Sequence, residues 1–313
     1  MRISRVFVAA FMLALFLGAL SNLGLADQTH FTLKYSWPRL DIEQMPAYAK
    51  GPESGVGAFE ASINMWKDRL GLLASAEWGK FEFHGMSGTY NVSPSAGALR
   101  IYDYESHTDI YKGVYNCDMR FYLGNFIRRW SEAELKTLRD LNLAVILGWN
   151  WQHYKFDREI TELSVRGHPN ETPDERLLPW GDTTDYDDDH GGAYKMDASG
   201  PEIGFSLDWS PFNKSKTEAL KQIGVHLLSR FSPSMVRVKF YGRKWQDTMD
   251  SISGADCEVG VTYDFTKLLE LKQGQSLSAG LGYNYRYLSG HNFNRITSYG
   301  ALFTVTYGMQ HTW

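Results

Sequence analysis

The sequence predicts an all-β protein: a ten-stranded antiparallel transmembrane β-barrel with long extracellular loops and short periplasmic helices. Three observations predict it. The first 26 residues, MRISRVFVAAFMLALFLGALSNLGLA, read as an export signal. Apolar and polar residues then alternate with period two in many separate stretches, which marks strands with one apolar and one polar face. Aromatic residues reach 14% of the chain, with 18 Tyr, 17 Phe and 10 Trp, as a barrel with an aromatic girdle at each membrane interface requires.

The export signal has three parts. Arg2 and Arg5 make a positive start, Val6 to Leu20 is an unbroken apolar run, and Gly24-Leu25-Ala26 offers small residues at a cleavage site. The alternative is a membrane anchor, but the run is short for a span. The expected division is therefore a signal peptide at 1–26 and a barrel domain at 27–313.

The strands follow in order. Phe31, Leu33, Tyr35 and Trp37 alternate with Thr32, Lys34 and Ser36, predicting a strand over 30–37. Weaker alternation predicts strands over 55–66, 69–84 and 142–157. Tyr115 to Leu123 sets Cys117, Met119 and Phe121 against Asp118, Arg120 and Tyr122, predicting a strand over 108–123. Pro201 to Trp209 predicts 200–210, and a weaker pattern predicts 234–246. Ala255 to Phe265 and Gln275 to Tyr287 predict 254–266 and 275–288. The closing ALFTVTYGMQHTW predicts 298–313. An even count is required when both chain ends lie on the periplasmic side.

A soluble sandwich also alternates, with its apolar faces packed on each other. Two features favour the inside-out solution. The polar faces repeatedly carry glycine (Gly204, Gly260, Gly280, Gly282, Gly308), and the apolar faces end in aromatics. An open edge cannot sit in hydrocarbon, so the sheet must close.

Lys216 to Phe231 is an eleventh strand if read as strand. It fits a helix better, because Leu220, Ile223, Leu227, Leu228 and Phe231 share one helical face. Ser131-Glu-Ala-Glu134 is a capping box opening a second helix to about Asn142. The opposite loops are long, 38–54, 85–107 and 158–199, the last with the acidic run DTTDYDDDHGG.

A net charge of −4 argues against a nucleic-acid binder. Two cysteines, Cys117 and Cys257, allow one disulfide, but both fall on apolar strand faces, where buried or lipid-facing thiols are the simpler reading. No nucleophile elbow, phosphate loop, zinc spacing or cofactor fingerprint occurs, so neither cofactor nor metal is expected.

Two constellations are candidates for chemistry. Asp103, Glu105 and His107 alternate toward the barrel mouth, and Asp188 and His190 lie in the acidic loop. Together they form either a carboxylate–His site, which oxygen and imidazole ligands would also suit to a divalent metal, or an ordinary solvated loop and strand end. The second constellation is the charged residues expected in the lumen: Lys34, Glu60, Asp118, Arg120, Arg237, Lys239, Arg243, Asp256, Glu258, Asp264 and Arg286. They either line a pore or cross-link the wall as ion pairs. Ten strands make a narrow barrel, which favours the filled lumen. Aromatics such as Trp149, Trp151, Trp209 and Tyr283 read as interface girdles, with a sugar platform as the alternative.

ESHTDIYKGVYNCDMRFYL followed by LNLAVILGWNWQHYKFD resembles the fourth and fifth strands of the omptin-like outer-membrane barrels, and YGALFTVTYGMQHTW resembles their last strand. The resemblance implies the ten-stranded fold, which porin-like outer-membrane proteins of chlamydia-related bacteria share. Omptin proteases carry an acidic pair near the tip of the third strand and an Asp-x-His pair near the tip of the seventh. Here no carboxylate lies between Glu82 and Asp103, and YGRKWQDTMDSIS holds Asp247 and Asp250 but no His. The resemblance therefore implies the scaffold without the protease.

The expected function is a non-proteolytic, porin-like or surface-structural barrel. The alternative is an outer-membrane hydrolase, a peptidase or lipid-A-modifying enzyme, with an acid–His site at the extracellular mouth. Expected partners are outer-membrane lipid and lipopolysaccharide, and the barrel-assembly machinery through the strand ending at Trp313.

Overall fold

The computed structural model describes residues 26–42, 55–66, 68–92, 100–126, 141–166, 194–240, 247–290 and 295–311. Ten antiparallel strands form one sheet: β1 (Ala26–Ile42), β2 (Val56–Met65), β3 (Leu70–Val92), β4 (Arg100–Tyr122), β5 (Ala144–Arg166), β6 (Tyr194–Trp209), β7 (Ile223–Phe240), β8 (Asp247–Asp264), β9 (Gln275–Gly290) and β10 (Ile296–Gln310). Each pairs with its neighbours in sequence. β1 also pairs with β10, from Gln28 opposite Gln310 to Ile42 opposite Ile296, and this closes the barrel. The ten strands expected from the sequence are all present.

The connection between β6 and β7 differs from expectation. Only Glu218–Lys221 (α2) is helical, a single turn, and β7 begins at Ile223. Of the apolar residues assigned to a helix face, Ile223, Leu227, Leu228 and Phe231 instead sit on β7, and Leu220 lies in the helical turn. A second turn of helix, α1 (Leu123–Phe126), follows β4. The helix expected from Ser131 lies almost wholly outside the described residues. Both observed turns stand at the end of the barrel where β1 starts and β10 ends.

The alternation does what the sequence asks of it in the half of the barrel nearest that end. Leu33, Leu147, Phe205, Val261, Leu281 and Phe303 point outward and are exposed. Aromatics flank this aliphatic band along single strands, as with Tyr299 and Tyr307 on either side of Ala301, Phe303 and Val305 on β10. Apolar outside and polar inside is the arrangement of a transmembrane barrel. Cys117 and Cys257 are free and exposed on this outer wall.

The inward glycines have a steric cause. A Cβ on Gly282 would lie 2.4 Å from the Val259 carbonyl oxygen, and one on Gly204 would lie 2.2 Å from that of Ser229. The sheet curls so tightly at these points that the neighbouring backbone fills the space a side chain needs.

The other half of the barrel inverts the pattern. β3, β4 and β5 each run 23 residues, about twice the 9–11 that cross a bilayer. Past the apolar band the outward positions become polar: Lys80, Glu82 and Asp109 form an ion cluster, and His153 Nδ1 meets Asp197 Oδ1 at 2.5 Å. The inward positions become apolar. Leu40, Val56, Phe81, Ile110, Tyr154, Phe156, Met196, Ala198, Val236, Ile252, Leu288 and Ile296 form one cluster, none more than 4% exposed. Every strand contributes to it. This half is built like a water-soluble barrel around a dry core.

Candidate functional site

The lumen below that apolar core is filled by charge. Arg230, on β7, sits at the centre. Its guanidinium contacts Asp118 of β4 at 2.6 Å, Glu202 of β6 at 3.0 Å and Asp256 of β8 at 3.7 Å. Arg286 of β9 also reaches Asp256, at 3.0 Å, and donates to both oxygens of Glu77 on β3 at 3.0 Å. Glu77 is held from the other side by Lys112 of β4. Toward the terminus-bearing end, Lys34 of β1 bridges Glu60 of β2 at 2.9 Å and Glu258 of β8 at 2.7 Å. Strands that are not sheet neighbours are thus cross-linked through the lumen. Desolvated charges persist in such a place only because each is paired.

Beneath this layer lies a cavity of about 340 Å³ lined by His30, Lys34, Arg120, Asp208, His226 and Glu258, with Ser and Thr hydroxyls around them. His226 Nδ1 meets Asp208 Oδ1 at 2.5 Å, and its Nε2 faces Glu258 Oε1 at 3.8 Å. Asp208 orients the imidazole and leaves Nε2 turned toward the cavity and Glu258.

The structure places the lumen residues expected from sequence as follows. Lys34, Glu60, Asp118, Asp256, Glu258 and Arg286 belong to the charge layer, and Arg120 lines the cavity beneath it. Asp264 closes β8, where its carboxylate accepts from the Thr266 backbone N–H at 2.8 Å. Arg237 does not face the lumen. It has the opposite parity to Arg230 on β7 and is exposed on the outer wall, in the half where polar residues point out. Lys239, two positions on and of the same parity, pairs in register with Lys195 and Asp247. Arg243 lies outside the described residues.

The acid–His candidates fall on side chains outside the described residues. Asp103, Glu105 and His107 fall within β4, opposite Ser164, Glu162 and Glu159 of β5, and their side chains are outside the described set. Asp188, His190 and Trp313 are likewise outside it. The acid–His pairs that are described, Asp208–His226 and Asp197–His153, come from other positions. Among the described residues no cluster of three or more His, Cys, Asp or Glu is arranged to hold a metal ion.

Sequence reasoning missed Glu77, Lys112, Glu202 and Arg230. Glu202 and Lys112 share the parity of residues already expected inside, Lys112 with Asp118 on β4, so extending the alternation by a few positions finds them. Arg230 was hidden by the helical reading of 216–231.

No protein-family model matches the sequence, and no curated protein matches it. Solved structures similar to this chain include the outer membrane protease OmpT of Escherichia coli, 11% identical over 92% of this chain and 94% of that one, with a TM-score of 0.40. They also include the translocator domain of the autotransporter NalP of Neisseria meningitidis, 9% identical over 98% of each chain, with a TM-score of 0.37. A third is the attachment invasion locus protein Ail of Yersinia pestis, 8% identical over 91% of this chain and 100% of that one, with a TM-score of 0.31. The outer-membrane β-barrel fold of this chain rests on its own strand pairing and on the two faces of its wall.

Proposed function

We propose that the protein is a non-conducting, non-proteolytic barrel of the outer membrane with a surface-structural role. On this reading the segment 1–26 exports it, the end where β1 starts and β10 ends faces the periplasm, and the long strands lift their connections clear of the membrane surface. Outer-membrane lipid, lipopolysaccharide and the barrel-assembly machinery are the partners this placement entails.

One observation carries the reading. The apolar residues drawn from all ten strands meet in the lumen above a layer of paired charges. A water-filled path must breach a dry core and also separate ion pairs that span the lumen, whereas open channels generally need about sixteen strands. The omptin-like positions for protease chemistry are unfilled in this sequence, so the scaffold remains without that activity.

Planar-bilayer recording from the purified, folded protein tests the proposal. The expected result is stable insertion with no discrete conductance. Reproducible single-channel steps would overturn it.

A further inference from the structure

The turns at the terminus-bearing end combine two properties that the rest of the barrel keeps apart. In the β6–β7 turn, Phe212 and Leu220 are exposed by 43% and 38%, and in the β8–β9 turn Leu268 and Leu269 are exposed by 70% and 51%. Lys214, Lys216 and Lys272 are exposed beside them. Lys267 of the second turn donates to Glu218 of the first at 3.1 Å, and Lys221 pairs with the same carboxylate at 2.5 Å. The two turns are therefore tied into one surface. It continues the lipid-facing wall, because Phe265, which starts the second turn, packs edge-on against Tyr263 with ring centroids 4.9 Å apart.

Charge is distributed unevenly between the two ends. The connections at the end where β1 starts and β10 ends, 66–69, 123–143, 210–222 and 265–274, carry net charges of +1, +1, +2 and +1. At the opposite end 43–55, 93–99, 167–193, 241–246 and 291–295 carry −1, 0, −7, +2 and +1. The end that bears the termini is the basic one.

We propose that these turns form a docking collar for anionic phospholipid headgroups of the adjacent leaflet. Apolar side chains that enter the acyl boundary, with lysines beside them at headgroup level, are what binds a charged membrane surface. The inference rests on the membrane placement proposed above. It adds that this end selects lipid by charge.

The test reconstitutes the full barrel into phosphatidylcholine vesicles containing a minor fraction of spin-labelled phosphatidylglycerol or spin-labelled phosphatidylcholine, and compares the motionally restricted fractions. The expected result is enrichment of phosphatidylglycerol that falls about fivefold for each lysine removed near an anionic surface at low salt. A Lys214→Gln, Lys216→Gln, Lys272→Gln variant should lose it, as should the native protein at 1 M salt, where the Debye length is about 3 Å. Leu268→Ser with Leu269→Ser should weaken contact with both lipids alike. A barrel that inserts without preferring phosphatidylglycerol, or a triple variant that keeps the preference, overturns this proposal. Failure to insert in any vesicle would instead remove the membrane placement on which it stands.

Discussion

Replacing Arg230 by Met tests whether the lumen is held by paired charge. Methionine keeps most of the volume, so the change isolates electrostatics from cavity formation. Arg230 is 3% exposed, and its partners Asp118, Glu202 and Asp256 are 0%, 2% and 13% exposed. Its loss leaves three carboxylates facing one another in a medium that solvates them poorly. Removing one partner of a single buried pair costs about 3–5 kcal/mol, a factor of about 150 to 5,000 in the folding equilibrium at 1.36 kcal/mol per tenfold. Arg286 remains on Asp256 at 3.0 Å, so the penalty falls mainly on Asp118 and Glu202. Urea unfolding in lipid vesicles, followed by tryptophan fluorescence, measures it. Adding Asp118→Asn and Glu202→Gln should recover a large part of the loss by neutralising the stranded acids. Arg230→Met within about 1 kcal/mol of the parent protein would mean that water reaches these groups, and the filled-lumen argument would fail with it.

Two further pairs of substitutions probe the wall. Leu281→Arg places a charge in the middle of the apolar band, at a side chain 70% exposed. It should cost about 2–4 kcal/mol in vesicles, whereas Arg237→Gln, on the outer wall beyond that band, should cost no more than about 1 kcal/mol; equal effects would contradict the boundary drawn between the two halves. Gly282→Ala drives a methyl to 2.4 Å from the Val259 carbonyl and should destabilise by about 1–3 kcal/mol. Gly113→Ala, where the nearest atom is the Tyr115 ring at 3.6 Å, is the tolerated comparison in the same unfolding assay.

Strand number, order and lumen-facing parity were legible in the membrane-crossing segments, because lipid outside and polar groups inside impose strict alternation. Two stretches misled, for different reasons. Ile223, Leu227 and Phe231 are spaced by four, and a spacing of four satisfies a helical period and a strand period together; only Leu228 breaks the tie, and it points inward as the sole large apolar residue of its face nearby. That ambiguity hid Arg230. Arg237 failed differently. Polar meant inward only as far as the membrane extends, and beyond it polar means outward. The extensions of β3, β4 and β5 past 84, before 108 and past 157 read as loops in the sequence for the same reason.

That inversion bears on how a single register is chosen. A one-residue slip of a strand moves every side chain to the opposite face. In an ordinary transmembrane barrel the penalty comes from charges pushed into lipid, and a polar lumen forgives the apolar residues that replace them. Here a slip of β7 carries Arg230 into the lipid-facing wall, and in the same movement carries Val236 out of the dry core and Arg237 into it. On β4 it exposes Ile110 while burying Asp109. The two halves demand opposite patterns, so a register shifted by one residue satisfies neither solvent. The apolar core thus does more than seal the lumen: with the charge layer beneath it, it makes a one-residue slip of a long strand costly in both environments at once.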